Sequence, residues 1–381
     1  MIELHKAVFT KKDKFLTKKC FDTEWLSSSG KNVKILETKI SKYTGIKNSV
    51  AVLNGSIGLY LSINSLNPNK GDEIIVPTLT FVATVNAVVS NFCSPIFQDC
   101  DDFFNIDINK TIEFLKHYTY QIKRNCINKN TKKKIIAIIV TSTWGNYVEI
   151  KKLKKVCKKK NIKIIEDSAE ALGTFSKKGK HAGYFADISV ISFNLNKIIT
   201  GGSGGIILTN NKRLSKKINH IANQAKKNKK LFVHDEVGFN FKMTNITATL
   251  CLSQLSRIKK IKLKKKNIYN TYLKMIPNCN FMLAERPDAN NNNWMNLLIF
   301  KDVKKFDKIK KLIEFLEAKK IEVRPVWKLN HQQIKFKKYQ TYKIQKAVKL
   351  YSSSLCVPSG LNITKKKIDF VIKSIKDYLD V

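Results

Sequence analysis

The sequence predicts an α/β protein: a large domain built on a mixed, mostly parallel sheet covered by helices, followed by a smaller C-terminal α/β domain. Short β-branched runs alternate with helix-compatible segments through the first two-thirds of the chain. Those runs are apolar almost without interruption, as strands covered on both faces must be. After about residue 250 the pattern restarts as strand, helix, strand, helix. With 381 residues, 43% of them hydrophobic, and only 7 Pro and 15 Gly, the chain can bury large cores, and two domains suit this length better than one.

The first strand is NSVAVLN (48–54), which passes through Gly-Ser into the helix-compatible GSIGLYLSINSLN. DEIIVP (72–77) with FVATVNAVVSNF behind it, SPIFQDC (94–100), and KKIIAIIVT (133–141) with EIKKLKKVCKKK continue the alternation. IKIIED (162–167) is a further strand and SAEALG its following helix, while ISVISF (188–193) and GIILTN (205–210) flank a glycine-rich tract. A long basic helix is expected over about 245–275, then a strand in NNWMNLLIF (292–300) and a helix in FDKIKKLIEFLEAKK (306–320). A strand in IEVRPVW (321–327) and a last helix near 365–380 complete the pattern. We divide the chain as 1–255 and 256–381; the linking helix can belong to either side.

Composition excludes several classes of function. No run approaches the roughly 18 uninterrupted apolar residues of a membrane helix, and MIELHKAVFTKKDKF has no apolar centre of a secretory signal. A soluble cytoplasmic protein is the expectation. The eight cysteines are scattered, without C-x-x-C pairs or paired His, so neither a metal site nor a disulfide framework is expected. The formal charge of +42 ordinarily suggests nucleic acid. Yet only five of the 71 basic residues are Arg, and the Lys runs KKLKKVCKKK, KKIKLKKK and TKKKID carry Leu, Val or Ile at helical spacing. Solvated helix faces are the simpler reading, and no nucleic-acid partner is expected.

Four features carry chemistry. Asp167 ends a buried strand at the edge where open α/β sheets place ligands; a carboxylate there needs a cation, although alone it reads more readily as a helix N-cap. Lys197 follows the next strand and precedes TGGSGG, whose glycines permit positive φ and close backbone approach; a surface lysine before a plain turn is the alternative. Gly55 and Ser56 open a helix after a strand and suit an anion, though Ser is also a common cap. Phe81 follows the next strand, where core packing would also explain it. Neither a Walker loop nor a G-x-G-x-x-G is present. Jointly, a phosphate turn, an aromatic, a strand-end Asp and a lysine meet the needs of pyridoxal phosphate.

The segments NGSIGLYL, GDEIIVPTLTFVATVNAV, IIEDSAEALGT, GKHAGYFADISVISFNLNKIITGGSGGIILTNN, EVGFNFKMTNITATL and RPVWKLNHQ resemble the DegT/StrS-type sugar-nucleotide aminotransferases, fold-type I pyridoxal-phosphate enzymes. The wording around Phe81 and RPVW is most similar to the members forming UDP-4-amino-4,6-dideoxy-N-acetylglucosamine. The resemblance implies that Lys197 is the Schiff-base lysine and proton shuttle, that Asp167 binds the pyridinium nitrogen, and that Phe81 stacks on the ring. It assigns Gly55, Ser56 and Ser192 to the phosphate and Glu170 to the cofactor's phenolic oxygen. Asn240 matches an asparagine that reaches the phosphate from a neighbouring subunit, which implies a homodimer with shared sites. Arg324 and His331 fall in a segment bordering the sugar-nucleotide pocket, where a structural ion pair and a surface histidine are equally good readings.

The implied reaction moves the amino group of L-glutamate, through pyridoxamine phosphate, to a nucleotide-linked 4-keto-6-deoxy sugar. Amination at C3, a GDP- or dTDP-linked sugar, or an inactive binding protein on this fold are the alternatives. Three positions depart from the family pattern: Lys242 replaces the usual Arg, Ala186 a common Gly, and TSTWGN a His-bearing turn. Related dehydratases carry His where this chain keeps Lys197.

Overall fold

The computed structural model describes residues 1–228, 230–277 and 279–379. Seven strands form the centre of the larger unit: β1 Asn48–Val52, β2 Glu73–Pro77, β3 Ser94–Gln98, β4 Lys134–Thr141, β5 Lys163–Asp167, β6 Ile188–Ser192 and β7 Gly205–Thr209. Their order across the sheet is β1-β7-β6-β5-β4-β2-β3, and of these seven only β7 runs against its neighbours. Every residue of β2, β6 and β7 is buried, because helices cover both faces. That double cover explains why these strands read as continuous apolar runs. Since β2, β4, β5 and β6 are parallel, Pro77, Thr141, Asp167 and Ser192 all end at one edge.

Two helices before β1, Lys11–Asp22 and Lys31–Thr44, were not anticipated. The first is closed by a capping box in which Thr10 and Asp13 serve each other's backbone. The expected basic helix is two helices, Asn245–Leu255 and Ile258–Met275, broken at Ser256–Arg257. The Arg257 side chain turns there to Asp13 and the Val8 carbonyl. SAEALG forms successive turns rather than a helix, with Ala171 N–H donating to Ser168 O at 2.9 Å and Thr174 N–H to Ala171 O at 2.9 Å. The Asn292 amide takes the carbonyls of Glu170 (2.7 Å) and Leu172 (3.0 Å), and Gly173 sits at φ +87°. A helix there would need those carbonyls for itself.

The smaller unit carries an antiparallel sheet in the order Phe281–Leu283, Asn296–Phe300, Ser354–Val357, Arg324–Pro325. Within this sheet the run 321–327 pairs only through Arg324–Pro325, since a proline has no N–H for a ladder. Helices Phe306–Ala318 and Lys365–Leu379 cover one face of this sheet and form a core with it, while Leu297 and Cys356 pack in a second cluster shared with Leu79, Phe104 and Trp144 of the larger unit. Residue 380 of the expected last helix lies outside the described residues. We propose the division at the Ser256–Arg257 break. Among the described residues three strand contacts cross it: Ile2 bridges Ile321, Thr341–Tyr342 adds to β3, and Ala289–Asn290 pairs with Phe175–Ser176.

The Lys-rich segments are helical and largely exposed, with Leu153 and Cys157 buried beneath Lys151–Lys160. No helix among the described residues is long and apolar enough to cross a membrane.

Asp99 ties the two units together. It is fully buried after β3, where its carboxylate accepts from Lys110 Nζ (2.6 Å) and from the amides of Gln345 (3.1 Å), Lys346 (2.9 Å) and Ala347 (2.7 Å). Burial pushes its carboxyl upward, but Lys110 and the three amides outweigh that and hold it below the ordinary range. Asp99→Ala strands an ammonium and three amides, so urea unfolding should show a loss of about 3–5 kcal/mol. An unchanged midpoint would show that this junction is not held by Asp99.

Candidate active site

Lys197 lies in the loop joining β6 to the antiparallel β7. The Phe193 amide donates to Gly204 O (2.8 Å), and the Phe193 carbonyl accepts from Gly201 N–H (3.0 Å) and Thr200 Oγ1 (3.0 Å). Gly202 and Gly204 take φ of +80° and +109°. At Gly205 a Cβ would lie 2.5 Å from the Asn54 carbonyl carbon, so close approach requires glycine there. The glycine tract thus folds the loop back onto the turn after β1, with the lysine at its crest.

The amine of Lys197 is 3.1 Å from Glu170 Oε1 and 4.3 Å from the centre of the Trp294 ring. Glu170 Oε2 accepts from the Trp144 amide at 2.7 Å, which fixes the carboxylate facing the lysine. Asp167 faces the same space and accepts from Thr84 Oγ1 (2.7 Å) and the Ala169 amide (3.1 Å). Burial raises both carboxyls above their ordinary range, and the Lys197 charge opposes this at each. Asp167 caps no helix.

At the β1 end, Asn54 caps helix Gly55–Asn64 by accepting from the Ile57 amide at 2.9 Å. A Cβ on Gly55 would lie 3.0 Å from that of Ser192, a contact tight enough that glycine eases the approach of the helix N-terminus to the end of β6. Ser56 is exposed at that N-terminus, where free N–H groups and the helix dipole favour an anion. Phe81 is 53% exposed, its ring on the pocket rather than in the core.

These groups line one pocket of about 470 Å³. It takes in Lys197, Asp167, Glu170, Gly55, Ser56, Ser192, Phe81 and Arg324. Arg324 is exposed at the rim and paired with Glu322 (2.8 Å) and Glu317 (3.4 Å). His331 does not reach the pocket wall: its Nδ1 meets Thr78 Oγ1 at 2.6 Å, and burial lowers its pKa. Asn240 is exposed and also lies off this wall. Lys242 pairs with Glu37 at 3.1 Å, the carboxylate that also receives the Ala51 amide.

Sequence reading missed the tryptophans. Trp144, at φ +51°, stacks on Trp327 of the smaller unit with ring centres 4.3 Å apart and an interplanar angle of 13°. Trp294, also from the smaller unit, lies beneath Lys197 and donates its indole N–H to Asn196 O at 2.5 Å. Three of the four tryptophans line the pocket, and that scarcity was the available signal. No cluster of His, Cys, Asp and Glu suited to a metal occurs among the described residues.

Residues 9–376 match the DegT/DnrJ/EryC1/StrS aminotransferase family. The chain belongs to this family. GDP-perosamine synthase of Escherichia coli O157:H7 is 30% identical over 378 residues, covering 99% of this chain and 98% of that protein. A UDP-4-amino-4,6-dideoxy-N-acetyl-beta-L-altrosamine transaminase of Campylobacter jejuni is 26% identical over 370 residues, covering 93% and 91%. Helicobacter pylori PseC, an aminotransferase involved in pseudoaminic acid biosynthesis, shares the fold at a TM-score of 0.89 and 23% identity, covering 100% of this chain and 99% of its own. These matches support the family; they do not single out the branch forming UDP-4-amino-4,6-dideoxy-N-acetylglucosamine, to which the wording around Phe81 and RPVW pointed.

The DegT/StrS-type protein is a pyridoxal-phosphate-dependent aminotransferase. Its pocket fits that cofactor: a glycine-opened helix N-terminus for the phosphate, an exposed Phe81 face, a carboxylate at Asp167 and the amine of Lys197 line the same space.

Behind Asp167, Glu166 is buried on the opposite side of β5 and accepts from Ser142 Oγ (2.7 Å) and Ser168 Oγ (3.0 Å). Burial lifts its carboxyl from 4.5 to about 7. The folded state therefore holds an extra proton between those values and loses relative stability as pH rises through the window. Glu166→Gln should flatten this fall in urea-unfolding free energy between about pH 4.5 and 7; an unaltered slope would assign the titration elsewhere.

Proposed function

We propose that this enzyme transfers the amino group of L-glutamate to C4 of a nucleotide-linked 4-keto-6-deoxy sugar, with Lys197 as its catalytic residue. The observation that carries this reading is the Lys197 amine, held between Glu170 and the Trp294 ring in the pocket that Asp167 enters. Bound there, pyridoxal phosphate supplies an electron sink for the pair left when a proton leaves the amino-bearing carbon. Asp167 would keep the ring nitrogen protonated, since an anion in this buried corner is best compensated by a cation. Gly55, Ser56 and Ser192 would hold the phosphate, and Phe81 would cover a ring face.

Lys197 would carry the proton in both half-reactions, and Glu170, at 3.1 Å, stabilises the ammonium whenever the lysine holds it. Glu170 would also reach the phenolic oxygen. The stacked Trp144–Trp327 pair offers an apolar wall suited to the deoxy edge of a sugar, and Arg324 at the rim would meet the diphosphate once drawn from its glutamates. His331, turned to the buried Thr78 behind the pocket wall, would brace the segment bordering the pocket rather than touch substrate.

The wording around Phe81 and RPVW supports a UDP-linked sugar, and the 30%-identical relative named for GDP-perosamine supports a GDP-linked one. Asn240, exposed away from the pocket, would complete the phosphate site of a second copy in a homodimer.

Glutamate-dependent amination should be assayed against UDP-, GDP- and dTDP-linked 4-keto-6-deoxy sugars, with the aminated carbon read by NMR. Lys197→Ala should lower the rate at least about 10³-fold while leaving the far-UV circular dichroism intact; amination at the parent rate would remove the lysine from the chemistry. Asn240→Ala should weaken cofactor retention on dilution without loss of fold. Unchanged retention would argue for sites complete within one chain.

A further inference from the structure

A second lysine, on the helix Ile258–Met275, is buried beside the site. Lys265 is 1% exposed, and none of the ion pairs among the described residues includes it. Its amine donates instead to two backbone carbonyls, Trp294 O at 2.8 Å and Ser359 O at 2.6 Å. Two turns further along the same helix face, the buried Tyr272 hydroxyl donates to Pro358 O at 2.7 Å. This helix therefore grips consecutive carbonyls of the turn after strand Ser354–Val357. Ser359 Oγ in turn accepts from the Asn296 amide at 2.9 Å, and the Ser359 N–H donates to Leu4 O at 2.7 Å.

The grip continues into the pocket. The residue whose carbonyl Lys265 holds is the one whose indole underlies the Lys197 amine, 4.3 Å away, and bonds the carbonyl of Asn196. We infer that Lys265 is a positioning residue: by fixing Trp294 from behind, it sets where the Lys197 amine rests and how the smaller unit closes the pocket. The inference rests on the reading of Lys197 as the catalytic amine. A lysine buried without a carboxylate is costly, and burial lowers its pKa to about 7. The neutral amine still has two N–H groups for two carbonyls, so the clasp keeps its geometry in either protonation state. His5, whose ring nitrogens are buried without partners, is pushed down to about 3 by burial and then by the charges of Lys265 and Lys197. Both amines therefore bear on one corner.

The test compares Lys265→Met and Lys265→Arg with the parent as holoenzymes, and follows the uptake of pyridoxal phosphate by each apoprotein through its absorbance. Lys265→Met should lower kcat roughly 10- to 100-fold, with little change in KM for glutamate, and should slow cofactor uptake. Lys265→Arg, which keeps donors, should recover part of both. A folded Lys265→Met protein of lower thermal midpoint but parental kcat and uptake would overturn the inference, leaving Lys265 merely structural. Should Lys265→Met not fold, Trp294→Phe decides: it keeps the carbonyl held by Lys265 but loses the bond to Asn196, so it should show the same kcat loss, and a parental kcat would break the chain. Lys197→Ala serves as the control. Activity surviving in that variant would refute the catalytic reading itself, a result distinct from any failure of Lys265.

Discussion

The architecture turns on one carboxylate set where a carboxylate is hard to keep. Asp167 closes a strand flanked on both sides by parallel neighbours and sits in a pocket walled by aromatic rings. Thr84 and the Ala169 amide satisfy part of its need, and burial still raises its pKa. A group so placed favours a cation opposite it, and the same pocket holds the amine of Lys197. The parallel sheet aims this strand end at the pocket, while the one antiparallel strand creates the long return loop that brings the lysine back.

The pocket is completed from both units. The larger one supplies the polar floor from its strand ends; the smaller one supplies Trp294, Trp327 and Arg324. Asp99 binds the two units from one side, and Lys265 grips the smaller unit's turns from another. Stacking of Trp144 on Trp327 then links the larger unit's turn directly to the smaller unit's strand. A bulky residue at φ +51° is strained, and the two packed rings and the bond from its amide to Glu170 offset that strain.

Most of this floor was legible in the chain. Apolar runs of strand length gave β1 to β7, and the glycine tract after Lys197 was right to demand explanation, since positive φ and backbone crowding both require it there. The helix expected at SAEALG failed because Asn292, far away in sequence, claims two of its carbonyls. Phe81, for which core packing was a fair reading by composition, turned outward to the pocket. The tryptophans escaped notice because their meaning lies in contacts between residues about a hundred or more positions apart. His331 follows the segment that brings Arg324 and Trp327 to the pocket, but its ring turns to Thr78, a choice set by side-chain packing that no local pattern encodes.

The most direct measurement is the ¹⁵N NMR shift of the cofactor's ring nitrogen in holoenzyme reconstituted with ¹⁵N-labelled pyridoxal phosphate, compared between the parent and Asp167→Asn. The account predicts a protonated nitrogen in the parent across neutral pH and an unprotonated one in the variant. An unprotonated nitrogen in the parent, or identical shifts in the two proteins, would contradict it.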